Sequence, residues 1–267
     1  MINKYYELLK KDYKFKIINP FLNAIKDYLL INDNDKIAVC ISGGKDSFVM
    51  AMCFKLLEEN PNYHFKTEYI LMNPGYKEED LESIKLNAKQ LDIDIKVFDT
   101  EIFKIAEKNE DKRCYLCAKM RRGALYNIAN SLGCNKIALG HHMDDVNETL
   151  LLSILYSGEI GGMRPIVNST SHENMSLIRP MYYIKEKDII DYSKNANINF
   201  LKCGCFLKDN KSLCENSKRQ IVKKLIKDLD DSNETVSKNI FKSYDNVNLN
   251  KLNSYKLDDD NINLLKK

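Results

Sequence analysis

Lys36-Ile37-Ala38-Val39-Cys40-Ile41-Ser42-Gly43-Gly44-Lys45-Asp46-Ser47 decides the fold of this chain. Behind Lys36 comes an unbroken apolar run of strand length, the pattern of a strand buried on both faces of a parallel sheet. The second half sets two glycines, a lysine and two hydroxyls directly between that strand and a helix predicted over Ser47–Glu58. The glycines let the backbone turn tightly and aim N–H groups at an anion, and the helix N-terminus adds its positive end. Lys45 contributes a point charge, Ser42 and Ser47 contribute hydroxyl donors, and Asp46 can orient the loop or hold Mg²⁺ beside phosphates. Neither the G-x-x-x-x-G-K-[ST] nor the G-x-G-x-x-G spacing is present. This is a phosphate cradle of a different kind.

Outward from the loop, element types alternate. Strands are predicted at 36–41, 65–72, 93–98 and 136–139, separated by helices at 47–58, 78–91 and 115–132 and followed by a helix at 144–156. Such alternation implies βαβ units and an α/β domain with a parallel sheet, its ligands at the carboxyl ends of the strands. Tyr5–Leu30 reads as one or two amphipathic helices broken near Pro20. Gly158-Glu159-Ile160-Gly161-Gly162-Met163-Arg164-Pro165 reads as a loop leaving the sheet. Helices are expected again at 185–195, 216–229 and 234–244. Beyond Asn246 a polar, loosely packed tail is expected. The division that follows is an N-terminal helical segment (1–30), an α/β domain carrying the phosphate loop (31–200), a helical and cysteine-bearing segment (201–245) and a tail (246–267).

A second segment fits the same site. Gly140-His141-His142-Met143-Asp144-Asp145 lies between a strand end and a helix start, where Asp144 or Asp145 can cap the helix and present a carboxylate to a metal or a base. The adjacent rings of His141 and His142 point to opposite faces of an extended segment, so at most one faces a ligand.

The 267 residues carry 41 basic and 38 acidic side chains, a formal charge of +3, with 44% hydrophobic residues. With only 10 Gly and 5 Pro, wholly disordered and collagen-like chains are excluded. No apolar run approaches the roughly 18–20 residues of a membrane span. Met1–Lys16 carries five lysines with no apolar stretch and cleavage site behind them, which does not read as a secretory signal. A soluble cytoplasmic protein is expected. The near-neutral total conceals two basic stretches: seven basic against three acidic residues over 104–122, and eight against two over 202–227. They suggest a local polyanion site.

Eight cysteines are unusual for a chain expected in a reducing compartment. Cys40, Cys53 and Cys134 stand alone in apolar segments and read as small buried hydrophobes. Cys114-Tyr115-Leu116-Cys117 opens the helix of Lys119, Arg121 and Arg122, while Cys203-Gly204-Cys205 and Cys214 precede Lys218-Arg219. A helix mouth and neighbouring cations favour thiolate. Spacing leaves three readings open: a Cys₄ zinc site from 114, 117, 203 and 205, a [4Fe–4S] cluster on three cysteines with one open iron, or a metal-free redox or persulfide pair.

Ser42–Ser47 resembles the loop of the PP-loop, or N-type ATP pyrophosphatase, superfamily. Cys114-x-x-Cys117-x-x-x-Arg121-Arg122-Gly123, Gly140-His141-His142-x-Asp144-Asp145, Gly161-Gly162-Met163-Arg164-Pro165, and Ile178-Arg179-Pro180 followed by Glu186-Lys187-Asp188 make the chain similar, over about residues 15–230, to the tRNA 2-thiocytidine synthetase (TtcA-type) family. That resemblance implies a Rossmann-like, adenine nucleotide α-hydrolase-like fold. It also implies an ATP-dependent tRNA sulfurtransferase that adenylates a C2 carbonyl in the anticodon loop, expels AMP with sulfur, and releases diphosphate. Ser42, Gly43, Gly44, Lys45, Asp46, Ser47, Gly140 and His141 would then hold the nucleotide, with Asn73 against adenine or ribose. Lys45, Asp46 and Asp145 would be catalytic, with Mg²⁺ on the phosphates. Three cysteines would carry a [4Fe–4S] cluster: Cys114, Cys117 and Cys205, with Cys203 the alternative third ligand. Here the family's usual P-C-x-x-C is replaced by Cys203-Gly204-Cys205. Lys119, Arg121, Arg122, Lys218 and Arg219 would hold tRNA phosphates. A cysteine desulfurase or free sulfide would donate sulfur, and a homodimer could use the N-terminal helix. The alternatives are a 2-thiouridine-type enzyme, or a PP-loop ATP pyrophosphatase acting on a small molecule with structural zinc.

Overall fold

The computed structural model describes residues 3–108, 113–201, 217–258 and 260–265. A six-stranded sheet runs in the order β3-β2-β1-β4-β6-β5. Its strands are β1 (Lys36–Ile41), β2 (Lys66–Asn73), β3 (Ile95–Asp99), β4 (Lys136–Ala138), β5 (Ile166–Asn168) and β6 (Ser176–Ile178). All neighbours are parallel except β5, which runs antiparallel to β6 at the edge.

The central run behaves as its composition dictates. Ile37, Val39 and Ile41 point into one core, and Ala38 and Cys40 into a second core on the opposite face. The first core is covered by α3 (Lys45–Glu58), which is apolar nearly all round because it is packed on several sides. Helices α1 (Lys4–Lys11), α2 (Asn19–Asp27) and α8 (Glu186–Asn195) also join this core. A π-helical turn at Lys14–Ile18 separates α1 from α2, and Pro20 lies in the first turn of α2, where its missing N–H is no loss. The second core is covered by α6 (Arg113–Ser131) through Tyr126 and Ala129. Cys40, Cys53 and Cys134 are all buried in these cores, as their apolar neighbours predict, and burial pushes the Cys40 and Cys53 thiols well above their ordinary range.

Topology locates the site. The chain leaves β1 through α3 for β2, continues through α4 (Glu78–Gln90) to β3, then returns through α5 (Ile102–Glu107) and α6 to β4 on the other side of β1. Between β1 and β4 the winding direction reverses. The crevice outside the carboxyl ends of those two strands is where such sheets bind ligands. Residues 42–47 follow β1, and 139–145 follow β4.

Several elements were not anticipated. α5, β5 and β6 fall in stretches read as connections, each too short to show a period. Helix α7 (Met143–Ser157) is capped by His142 rather than by Asp144 or Asp145. Helices α9 (Lys218–Ser232) and α10 (Val236–Asp245) start two residues later than expected. In the tail, β7 (Ser254–Leu257) and β8 (Asp260–Asn263) form an antiparallel hairpin turned at Asp258, φ +53°, and Lys256 pairs with Glu159 at 2.7 Å. Among the described residues, no helix is long and apolar enough to cross a membrane.

Candidate functional site

The loop after β1 is fixed by its own hydroxyls. Ser47 Oγ donates to the Gly44 carbonyl at 2.9 Å and accepts from the Ser42 N–H at 3.1 Å, with Ser42 Oγ 3.2 Å away. Gly43 holds φ +86°, a conformation natural only to glycine. Gly44 caps α3 without a side-chain hydrogen bond, so the helix's first N–H groups keep their donor capacity for an anion. From the neighbouring strand, Gly140 comes so close that a Cβ there would lie 3.1 Å from the Asp46 carbonyl carbon and 3.2 Å from the Ser47 nitrogen. The two crevice segments therefore touch through backbone.

His142 is buried at the start of α7. Its Nδ1 accepts from the Asp145 N–H at 3.4 Å, and Asp145 Oδ2 accepts from the His142 N–H at 3.0 Å. This is a reciprocal cap with histidine in the usual Ser/Thr role. His142 Nε2 lies 3.8 Å from Asp46 Oδ1, linking the two segments. The other ring, His141, faces the cavity. Burial depresses its pKa to about 4 against the opposing pull of Asp145, and its Nδ1 is buried with no hydrogen-bond partner. The two histidines thus take opposite faces.

A ladder of ion pairs then joins the segments to α9. Lys45 Nζ lies 3.2 Å from Asp46 and 3.0 Å from Glu186 at the start of α8. Glu186 also meets Lys223 Nζ at 2.7 Å. Arg219 reaches Glu148 through Nε at 2.6 Å and Asp145 through Nη2 at 2.5 Å. Burial alone would raise the Glu186 carboxyl, yet its bonds to Lys223 and Lys45 hold it at about 2. Burial likewise opposes ionisation of Asp145, but its contact and backbone bond with His142, and the Arg219 guanidinium, keep it below the usual carboxylate range. For Glu148, whose side chain is 5% exposed, burial wins and the pKa rises despite Arg219. Helix α7 is tied to α8 as well, because Asp144 Oδ2 accepts from the Glu186 N–H at 2.7 Å.

The loop and the second segment open on a cavity of about 720 Å³, while Glu148, Glu186 and Lys223 of the ladder line a separate one. Ser42, Asp46 and Ser47 line the first from the loop, Gly140, His141 and Asp145 from the second segment, Arg121 and Arg122 from α6, and Arg179 from the end of β6. The PP-loop domain family matches residues 13–228. The tRNA-cytidine(32) 2-sulfurtransferase of Coxiella burnetii (strain RSA 493) is 34% identical over 249 residues, 91% of this chain and 93% of its own length. The tRNA-cytidine(32) 2-sulfurtransferase 1 of Francisella philomiragia is 36% identical over 257 residues, 94% and 95% of the two chains. The chain belongs to the PP-loop family, in its tRNA-cytidine(32) 2-sulfurtransferase branch. Its fold is shared with the U34-tRNA thiolase NcsA from Methanococcus maripaludis, solved with its [4Fe–4S] cluster, at TM-score 0.68 and 21% identity over 88% of this chain and 80% of that one.

In this PP-loop protein, Ser42, Asp46, Ser47, Gly140 and His141 of the expected nucleotide residues line the cavity, whereas Gly43, Gly44, Lys45 and Asn73 do not, Lys45 being turned to Asp46 and Glu186. Asn73 is engaged within the fold: its Oδ1 accepts from the Gly75 and Tyr76 N–H groups at 3.0 and 2.8 Å, and its Nδ2 donates to Asp99 at 2.8 Å. Cys117 lies in α6 immediately before Ala118, a cavity residue. Cys114 is in the first turn of α6, with its side chain outside the described set, and Cys203, Cys205 and Cys214 lie outside the described residues. Among the described residues no group of three or more metal-ligating side chains is found. Lys119 is exposed on α6, and Lys218 Nζ sits 4.8 Å over the Tyr156 ring. Sequence reasoning gave no role to Arg179 or Glu186. Their signal lay in Ile178-Arg179-Pro180 and Glu186-Lys187-Asp188, which contributed to the resemblance without pointing at the loop.

Proposed function

We propose that this protein is an ATP-dependent tRNA sulfurtransferase that replaces the C2 oxygen of a cytidine in the anticodon loop with sulfur. The observation that carries the reading is the backbone contact of Gly140 with Asp46 and Ser47, which puts the phosphate loop and the His141–Asp145 segment on one cavity walled by Arg121 and Arg122. The curated relatives named above are tRNA-cytidine(32) 2-sulfurtransferases, which supports the choice of base.

The site fits a nucleoside triphosphate. Uncapped N–H groups at the start of α3 and the Lys45 ammonium suit the leaving pyrophosphate. Asp145, kept ionised by Arg219 and by its bond to the His142 backbone, and Asp46, the other carboxylate on the cavity, would hold a Mg²⁺ ion that would offset phosphate charge. The C2 carbonyl oxygen of the base attacks the α-phosphorus, pyrophosphate leaves, and a sulfur nucleophile then expels AMP from the activated carbon. Lys45, Asp46 and Asp145 position and stabilise charge. His141, neutral and with an unpartnered Nδ1, offers a hydrogen bond to the reacting species. Asn73 acts through the turn it holds beside the cavity.

The all-thiolate donor set Cys114, Cys117 and Cys205, with Cys203 the alternative, suits a soft-metal centre. A [4Fe–4S] cluster bound there would supply an open iron for sulfide. Lys119, Arg121, Arg122, Lys218 and Arg219 form the proposed tRNA surface, mostly without base readout. Residues 31–200 serve as the ATP-binding unit, with 1–30, 201–245 and 246–267 as appended segments. A cytoplasmic homodimer supplied by a cysteine desulfurase or free sulfide completes the reading.

The test is nucleoside analysis of tRNA from cells with and without the protein. Deletion should abolish 2-thiocytidine, and Lys45→Ala or Asp46→Ala should fail to restore it. Undiminished 2-thiocytidine in the deletion overturns the reading. Anaerobically purified protein, wild type and Lys45→Ala alike, should be brown with about four irons. Colourless protein holding one zinc would remove the cluster.

A further inference from the structure

Arg179 follows β6 directly, level with the segment after β4, whose Leu139 N–H donates to the Ile178 carbonyl at 3.0 Å. Its guanidinium lies in the cavity wall, with Nη1 donating to the Arg164 carbonyl and Nε buried without an acceptor. Lys45, Arg219 and Lys223 are each matched by carboxylates. Among the described residues, Arg179, Arg121 and Arg122 have no ion-pair partner. Burial, joined by the like charge of Arg122, works against the Arg179 charge. A half-buried cation whose Nε is buried without an acceptor is unfavourable unless something supplies one. Holding the Arg164 carbonyl needs one neutral donor, not a charged fork. The remaining donors match the oxygens of a phosphoryl group.

We propose that Arg179 and Arg122 form an anion subsite on the β6–α6 side of the cavity that takes a phosphoryl group of the reacting species, apart from the pyrophosphate held by the loop. This rests on the adenylation reading above. Strand β6 stands two strands from β1, about 10 Å, so the subsite is distinct from the N-terminus of α3. Two sources share the chemistry: the α-phosphate that leaves as AMP, and the backbone phosphate beside the extruded nucleotide.

Calorimetric binding of pyrophosphate, AMP and an anticodon stem-loop RNA to the full chain separates them. Arg179→Gln should bind pyrophosphate as the wild type does. It should lose about tenfold in AMP affinity if the group is the α-phosphate. If the group is an RNA phosphate, it should instead lose about tenfold in RNA affinity, with the salt slope lowered by about 0.7. Arg179→Lys, which keeps the charge and loses the fork, should recover part of either loss. Wild-type affinity of Arg179→Gln for both AMP and RNA overturns the subsite. Should that variant not fold, Arg122→Gln decides, since its side chain is exposed: weaker AMP binding, or an RNA loss larger than that of Arg121→Gln, supports the proposal, and unchanged AMP binding with no larger RNA loss overturns it. A protein that binds AMP through Arg179 yet makes no 2-thiocytidine sinks the reaction and keeps the subsite.

Discussion

At Gly140 a single hydrogen in place of a methyl decides whether two segments meet. A Cβ at 3.1–3.2 Å from the backbone of Asp46 and Ser47 has no flexible side chain to displace. Gly140→Ala must therefore move the end of β4 away from the phosphate loop. We expect a folded protein, destabilised by about 1–3 kcal/mol, whose pyrophosphate affinity falls at least tenfold; unchanged affinity would show that the close approach is dispensable. His141 supplies a pH test. Its folded-state pKa near 4 lies below the ordinary histidine value of 6.5. As pH falls from 6.5 toward 4, the unfolded chain binds a proton that the folded chain refuses, so stability declines through that window and is unaffected above it. Urea unfolding at pH 7 and pH 5 should show a smaller loss for His141→Asn than for the wild type. Equal losses would mean the ring titrates normally. Gly43, Gly44 and Lys45 were legible because phosphate chemistry demands those residue types in that order. The role of Gly140 was not, because only the approach of another strand makes it necessary.

Among elements, α9 is the one whose placement matters most to the site. It follows the cysteine-bearing segment, and it sets Arg219 and Lys223 against Asp145 and Glu148 of α7 and Glu186 of α8. The parallel strands and long helices could be read from period and length. This docking could not, because it joins residues 71 and 74 positions apart through charge rather than pattern. The same limit explains β5 and β6, three residues each, and the His142 cap. Arg219→Ala would leave Glu148, nearly buried, without its nearest cation. Removing one partner of a buried pair can cost 3–5 kcal/mol, and the partial exposure of Arg219 lowers the expectation to about 1–3 kcal/mol. Urea unfolding should show that loss, and Glu148→Gln combined with Arg219→Ala should lose less than the two single variants summed. Additive losses would mean the pair is uncoupled.

Across the whole molecule, a charge of +3 is too small to attract RNA by itself. What matters is where unpaired cations collect. In α6, Arg121 and Arg122 face the cavity, with Lys119 exposed on the same helix, while many acidic residues elsewhere are already paired with lysines. Binding through such a site is driven by counterion release from the phosphates neutralised. Each phosphate left without its cation flattens the dependence of log K on log salt by about 0.7 for single-stranded RNA. Neutralising Lys119, Arg121 and Arg122 together to Gln should therefore lower the salt slope of anticodon stem-loop binding by about 2. The melting temperature should barely move, because among the described residues none of the three is held in an ion pair. The control is Lys256→Gln, which removes one positive charge from the tail hairpin and its bond to Glu159. It should leave the slope as it was, since net charge falls but no cation near the cavity is removed. A slope that responds equally to Lys256 and to a single α6 cation would mean that RNA senses the overall charge, and that the tRNA surface lies elsewhere than at the mouth of this cavity.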